Sequence, residues 1–185
     1  MKNKNGTKLY KIAKTIIPGG TTLFSKRSEL HLPNKWPAYF ERSKNINLWD
    51  TKGNKYLDMF CAVGTSILGY NNLNVNRSVY NAISKGNMTS LNCPEEIMLA
   101  QKLIKHHSWA SMAKFTRGGG EANAVAIRIA RSCTKKKNVA FCGYHGWHDW
   151  YMATNLEGEE GLKEHLLSGL EPNGVPKGLA GTVKP

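Results

Sequence analysis

The sequence predicts an α/β chain, and three stretches carry that prediction. From Phe115 to Arg131 (FTRGGGEANAVAIRIAR) a short apolar run meets three consecutive glycines and passes into an amphipathic helix. Asn138 to Cys142 (NVAFC) reads as a buried strand that runs directly into Gly143-Tyr144-His145-Gly146-Trp147-His148-Asp149-Trp150-Tyr151. From Ala38 to Phe60, β-rich runs alternate with turn residues, the pattern of an antiparallel meander of about three strands.

Residues 1–17 form a polar tail and a short amphipathic helix. Leu9, Ile12, Ala13, Ile16 and Ile17 fall at helical spacing and Pro18-Gly19-Gly20 stops the run, so this face is expected to pack on a neighbour. Within the meander, Asp50-Thr51-Lys52-Gly53 has the composition of a hairpin turn with glycine at its left-handed position. Cys61 to Tyr70 (CAVGTSILGY) is apolar but broken by Gly64 and Gly69, which makes it a loop or a short buried turn. A helix over Asn74 to Lys85 places Val75, Val79, Ala82 and Ile83 on one face. The next begins after Asn92, with Pro94 in its first turn and Glu95 and Glu96 complementing the dipole, and runs to about His107. His106 and His107 suit its negative pole; metal binding is the alternative.

Met112 to Thr116 is expected as the strand feeding the glycine turn. In the helix that follows, Ala122, Val125, Ala126 and Ile129 form the expected apolar stripe, with Arg128 and Arg131 facing out or toward the helix C-terminus. Asn155 to Gly178 lacks periodicity and reads as a long loop, and Ala180 to Pro185 as the start of another strand.

The 185 residues, 41% of them hydrophobic, are enough for one domain with a real core. A net charge of +13 raises nucleic acid or an anionic membrane as partners. The basic residues are spread along the chain apart from Lys135-Lys136-Lys137, and no DNA- or RNA-binding signature accompanies them, so a solvated basic surface is the preferred reading. Cys61, Cys93, Cys133 and Cys142 have no C-x-x-C spacing, and no segment has the apolar run of a signal peptide or a membrane span. Reduced thiols in a cytoplasm fit this usage best.

Chemistry concentrates at the glycine run and after Cys142. A helix N-terminus behind a glycine turn offers free N–H groups and the positive end of the macrodipole, which suits a phosphate, although glycine clusters also occur at turns that bind nothing. Gly118, Gly119 and Gly120 are free to take positive φ and approach a ligand closely. Tyr144 lies at a strand's C-terminal end, where open α/β sheets bind ligands; a core aromatic is the bland alternative. His145, His148 and Asp149 could hold a metal, but no second segment offers ligand spacing, and no metal is expected.

Together, GGGEANAVAIRIAR and FCGYHGWHDWY resemble the class III (ω-type) aminotransferases, a pyridoxal-phosphate family that includes glutamate-1-semialdehyde aminomutase, from about Pro18 to the last residue. The resemblance implies part of a fold-type I pyridoxal-phosphate transferase with an incomplete sheet. Residues 1–60 would be the N-terminal helix and meander of the small-domain side, and residues 61–185 the first part of the large-domain αβα sandwich. It implies pyridoxal 5'-phosphate as cofactor, with its phosphate on Gly118, Gly119 and Gly120, its ring covered by Tyr144, and His145 beside it. The family commonly has Ser-Gly-Thr where this chain has three glycines, so two hydroxyl donors are missing. Strands 112–116 and 138–142 are not neighbours in that fold, which would leave open edges and an incompletely buried core. No aspartate here fits the pyridinium partner: Asp50 sits in a turn, Asp58 in the meander and Asp149 in the loop. The Schiff-base lysine is expected beyond Pro185, so no catalytic residue is assigned and the chain reads as the first part of an enzyme, inactive alone.

The implied partners are a small-molecule amino donor and a keto or aldehyde acceptor, within a homodimer of the longer enzyme. Val63-Gly64-Thr65-Ser66 stands before Leu68-Gly69-Tyr70 where aminomutases carry an aromatic residue and Gly-Pro, which favours intermolecular amino transfer over aminomutation. A non-catalytic phosphate-ligand or subunit-interaction module and a basic nucleic-acid-binding domain are the rival readings.

Overall fold

The computed structural model describes residues 5–156 and 171–185, and the chain divides into two compact units, Met1–Leu91 and Asn92–Pro185. The first unit opens with α1 (Gly6–Ile16), started by Asn5, whose side chain accepts from the N–H groups of Thr7 at 3.1 Å and Lys8 at 3.4 Å. Pro18-Gly19-Gly20 stops it, as expected, in a 3-10 turn. The buried side of α1 is Tyr10 and Ala13, and not the isoleucine stripe: Ile12 and Ile16 are exposed. The reason is polar. Chain beyond Pro18 folds back over the Tyr10 side, where the Tyr10 hydroxyl donates to Glu29 Oε2 at 2.7 Å and Lys14 Nζ donates to Oε1 at 2.6 Å.

The meander forms as β1 (Phe40–Lys44), β2 (Asn47–Asp50) and β3 (Lys55–Leu57), antiparallel in that order. Trp49 lies opposite Arg42 on one side and Lys55 on the other, and the two cations approach its ring to 3.8 and 5.7 Å. At the β2–β3 turn the Asp50 carboxylate accepts from Lys52 N–H and Asn54 N–H, each at 2.9 Å, and Gly53 takes φ +88°. Residues 61–69 are a loop, mostly exposed, in which Cys61, Ala62 and Val63 all hold positive φ. An antiparallel bridge of Asn45 with Tyr70 closes it, followed by α2 (Leu73–Ser84), capped by the Asn72 side chain. No residue of α2 is buried.

In the second unit α3 (Pro94–His106) has Pro94, Glu95 and Glu96 in its first turn and Lys105 and His106 in its last, matching the dipole. Residues 112–116 do not form the expected strand. No partner strand among the described residues pairs with them, and an extended run without a ladder is not a strand.

The glycine run does open a helix, α4 (Gly119–Thr134), closed by Lys135 in the left-handed conformation. Its more buried face carries Asn123, Ala124, Val125, Ile127 and Arg131, while Ala122, Ala126 and Ile129 of the expected stripe are exposed. Of the two directions expected for it, Arg131 takes the one toward the helix C-terminus. Its guanidinium donates to the carbonyls of Lys137 at 2.8 Å and Thr182 at 3.3 Å, tying the helix end to the sheet.

The second strand is shorter than NVAFC. β4 (Val139–Ala140) pairs in parallel with β5 (Val183–Lys184), the strand expected at Ala180 to Pro185. After β4 comes α5 (Asp149–Met152), continued by a 3-10 turn over Ala153–Leu156. Buried Tyr151 and Met152 centre the core of this unit, with Phe141, Trp150 and Val175 packed against them. The long loop expected from Asn155 to Gly178 falls largely on residues 157–170, outside the described residues. No described helix is long and apolar enough to cross a membrane.

Candidate active site

The N-terminus of α4 is built by its own turn. Gly118 is the extended N-cap residue, Thr116 Oγ1 donates to its carbonyl at 3.1 Å, and Arg117 N–H donates to Glu121 Oε2 at 2.9 Å. Ala122 N–H makes the first helical bond, to Gly118 O at 3.0 Å. The N–H groups of Gly119, Gly120 and Glu121 therefore precede the helical ladder, and no side chain caps them. Unlike the expectation from the glycine run, none of Gly118, Gly119 and Gly120 has positive φ. Their missing Cβ atoms serve two other ends. Above Gly118 and Gly119 a Cβ would meet nothing within 4 Å, whereas at Gly120 it would overlap the His148 imidazole, reaching Cδ2 at 2.5 Å and Nε2 closer still.

His148 comes from the loop after β4. Gly143 and Gly146, with φ +80° and +100°, turn this loop in ways an L side chain rarely permits. His145 Nε2 donates to the Cys142 carbonyl at 2.8 Å, which puts the ring proton on Nε2. The His145 ring packs among Phe141, Trp150 and Tyr151 at centroid distances of 5.6 to 5.9 Å. Tyr144 is half exposed, and its ring meets the edge of Tyr151 at 5.8 Å. Tyr151 is fully buried. Burial pushes its hydroxyl pKa up, partly opposed by the backbone N–H of His145, which stands near it short of hydrogen-bond geometry.

Between α4 and this loop runs a groove of about 450 Å³, lined by Ala124, Ile127, Arg128 and Arg131 from the helix and by Trp147 to Trp150 from the loop. Neither the three glycines nor Tyr144 is among its lining residues. The structure thus joins the glycine turn to the Tyr-His-Gly loop at Gly120 and His148, while the ring contact of Tyr144 is with Tyr151. Sequence reasoning weighed His148 only as a metal ligand. The two other candidates for that role are Asp149 and His145, and among the described residues no group of three His, Cys, Asp or Glu side chains is placed to hold a metal ion. The signal that could have found the His148 contact is the third glycine itself, a residue with no φ that requires it.

The arrangement has one evident chemical capacity. Three unpaired N–H groups at a helix start, with clear space over two glycines, can take the oxygens of an anion such as a phosphate monoester.

The chain is 36% identical over 143 residues to the 3-aminobutyryl-CoA aminotransferase of Cloacimonas acidaminovorans, an alignment covering 77% of this chain and 34% of that protein. It is 35% identical over 182 residues to the glutamate-1-semialdehyde 2,1-aminomutase of Wigglesworthia glossinidia brevipalpis, covering 97% of this chain and 40% of the other. Among solved structures, a transaminase with PLP bound superposes with a TM-score of 0.79 at 25% identity, over 99% of this chain and 41% of that one. The chain spans between about a third and two fifths of the length of these relatives. The sequence model described as aminotransferase class-III matches residues 31–170, and the chain belongs to that family.

Proposed function

We propose that this chain carries the phosphate-binding turn and the ring-covering loop of a pyridoxal 5'-phosphate enzyme that moves an amino group from a small-molecule donor to a keto or aldehyde acceptor. The observation that carries the reading is the start of α4, where the N–H groups of Gly119, Gly120 and Glu121 are uncapped beneath open space. The residues fit the group, because the space over Gly118 and Gly119 is clear to 4 Å and the N–H groups at the helix start carry no side-chain cap.

When bound, the cofactor supplies an electron sink for bonds at the amino-bearing carbon. The chain's own residues bind and orient. Gly118, Gly119 and Gly120 let the backbone approach the phosphate, and the helix dipole favours its charge. Tyr144, half exposed at the head of the loop, offers a ring face to the cofactor. His145 acts from behind, through its bond to Cys142 O, by fixing the loop that carries Tyr144. No lysine of this stretch is assigned the covalent bond to the cofactor aldehyde. In the proposal, residues 61–185 serve as the first part of the cofactor-binding domain of a cytoplasmic homodimer, with residues 1–60 on the small-domain side.

Intermolecular transfer is favoured over aminomutation by Val63-Gly64-Thr65-Ser66, a stretch without the aromatic residue that would narrow the substrate side. The test joins residues 1–185 to the downstream part of the Cloacimonas relative and assays both reactions. Amino transfer to an external keto acceptor is expected. Conversion of glutamate-1-semialdehyde to 5-aminolevulinate without such transfer would overturn this choice. Failure of the full chain to bind pyridoxal 5'-phosphate in preference to pyridoxal would overturn the site itself.

A further inference from the structure

We propose that His148 is a phosphate ligand, its Nε2 supplying the side-chain hydrogen bond that the three glycines at the start of α4 cannot. The inference rests on the cofactor reading above and adds a residue to it.

Three observations converge. First, the His148 ring occupies the volume that a side chain at position 120 would fill, because a Cβ built there overlaps Nε2 and Cδ2. In a helix the Cα–Cβ bond tilts toward the N-terminus, so this volume lies beside the first turn of α4. An imidazole nitrogen there adds a directed N–H donor to a set otherwise made of backbone amides.

Second, the ring is held in place. It stacks on Trp147 at 4.7 Å with 18° between planes, and the His148 carbonyl accepts from Tyr151 N–H at 2.9 Å and Met152 N–H at 3.0 Å. Ala124, one turn below Gly120, lines the same groove as His148, so small residues at both positions clear the path of the loop.

Third, the three glycines offer no side-chain donor, and the hydroxyl just before them is occupied. Gly118, Gly119 and Gly120 have none, and Thr116 Oγ1 donates to Gly118 O. A glycine at 120 that is not required by φ is thus required by His148, which links the third glycine to a residue in a different element.

The test is a four-cornered binding experiment on the full 185-residue chain. Pyridoxal 5'-phosphate, with pyridoxal as the phosphate-free control, is titrated against the wild type, His148→Ala, Gly120→Thr and the double variant, by calorimetry and by the ³¹P resonance of the ligand. His148→Ala is expected to weaken the phosphate ligand roughly tenfold or more, as for loss of a hydrogen bond to a charged group, without changing the response to pyridoxal. Gly120→Thr should weaken it too, by displacing the ring. In the double variant the threonine hydroxyl stands where the imidazole stood, and affinity should return to within a few-fold of wild type.

Equal affinity of wild type and His148→Ala, or a double variant as weak as the singles, would overturn the assignment and leave His148 a packing residue. If either single variant fails to fold by circular dichroism, His148→Gln and His148→Phe decide instead. The glutamine retains a donor and should bind, the phenylalanine retains the ring alone and should not, and tight binding by the phenylalanine variant would overturn the inference. A wild type that binds neither ligand would fail at the cofactor reading, with all four proteins alike; a wild type that binds while His148→Ala is unaffected would fail at His148 alone.

Discussion

Tyr70 donates its phenolic hydrogen to Asp58 Oδ2, twelve residues earlier in the chain, and so pins a glycine-broken loop to the chain just after β3. Burial, with the hydrogen bond to Asp58 and that residue's charge, pushes the Tyr70 hydroxyl up to about 12. Burial would also raise Asp58, but the bonds from Tyr70 and from the backbone N–H groups of Phe60, Cys61 and Ala62 outweigh it and hold the carboxyl below its usual range.

Tyr70→Phe is therefore expected to destabilise the first unit by about 1–2 kcal/mol. The pH dependence has two edges. Asp58 is depressed in the fold, so its contribution is present above the ordinary aspartate pKa of about 4 and is lost as pH falls below it. Tyr70 is raised, so its contribution is present below about 10 and is lost as pH climbs toward 12. The stability difference between wild type and Tyr70→Phe, measured by urea unfolding, should stay level from about pH 5 to 9 and shrink outside that window. A difference that is flat across both edges would show that the bond does not form.

Two glycines separate the cost of conformation from the cost of space. Gly69 and Gly53 both hold positive φ, +78° and +88°. A Cβ on Gly69 would stand 3.2 Å from the Asn45 Cα and 3.3 Å from its carbonyl oxygen, while one on Gly53 would meet nothing within 4 Å. Gly53→Ala should cost about 1 kcal/mol from backbone strain alone. Gly69→Ala should cost clearly more, because the backbone it strikes belongs to the Asn45–Tyr70 bridge. Equal midpoint shifts in chemical unfolding would refute the difference.

Glu29 collects the Lys14 ammonium and the Tyr10 hydroxyl, and those bonds lower its carboxyl to about 2. Its contribution is complete above the unfolded-state value near 4.5 and fades as pH falls toward about 2. The pair is about half exposed, so screening keeps the effect of Glu29→Gln under about 1 kcal/mol, and it should diminish in 1 M salt. A loss insensitive to salt would mean that the tyrosine bond, and not the ion pair, carries the effect.

The apolar sides of α2 and α3 are open. Leu73 and Tyr80 in α2, and Ile97 and Met98 in α3, are each more than 60% exposed, and neither helix buries a residue. The protein should bind a hydrophobic dye such as ANS in its native state and self-associate as concentration rises. A monomer at high concentration that leaves the dye dark would contradict both.

What was legible in the sequence follows the range of the interactions. The β1–β2–β3 meander, the Asp50–Gly53 turn, the helix after Asn92 with Pro94 in its first turn, and the passage from the glycine run into a helix are set by neighbours a few residues away and form as composition suggested, although the helix expected from Asn74 already begins at Leu73 behind Asn72. The misread features depend on distant groups. Residues 112–116 have strand composition, but a ladder needs a partner that no local pattern supplies. Arg131 reaches toward the helix C-terminus, as expected, but the Thr182 carbonyl it meets there lies 51 residues away and no local pattern names it. Cys61, Ala62 and Val63 hold left-handed backbone although none is a residue type that favours it. The His148 contact left only the third glycine as its trace in the sequence, since periodicity reports a helix face but not which loop will lie against it.

The tie between Arg131 and Thr182 also orders events in time. In the first unit the β1–β2 and β2–β3 ladders close across tight turns, so the amides of Asp50 and Asp58, bonded to Asn54 O and Ile46 O, can gain protection within a local search. In the second unit, β4 waits for residues 182–184 to return across a long excursion, and the entropy of closing that loop is spent before any ladder bond forms. The meander should therefore be an early settler and the parallel pair a latecomer. Pulse-labelled hydrogen exchange during refolding should find Asp50 and Asp58 protected before Val139 and Phe141, whose N–H groups bond to Thr182 O and Lys184 O. Simultaneous protection would mean that the two units assemble as one.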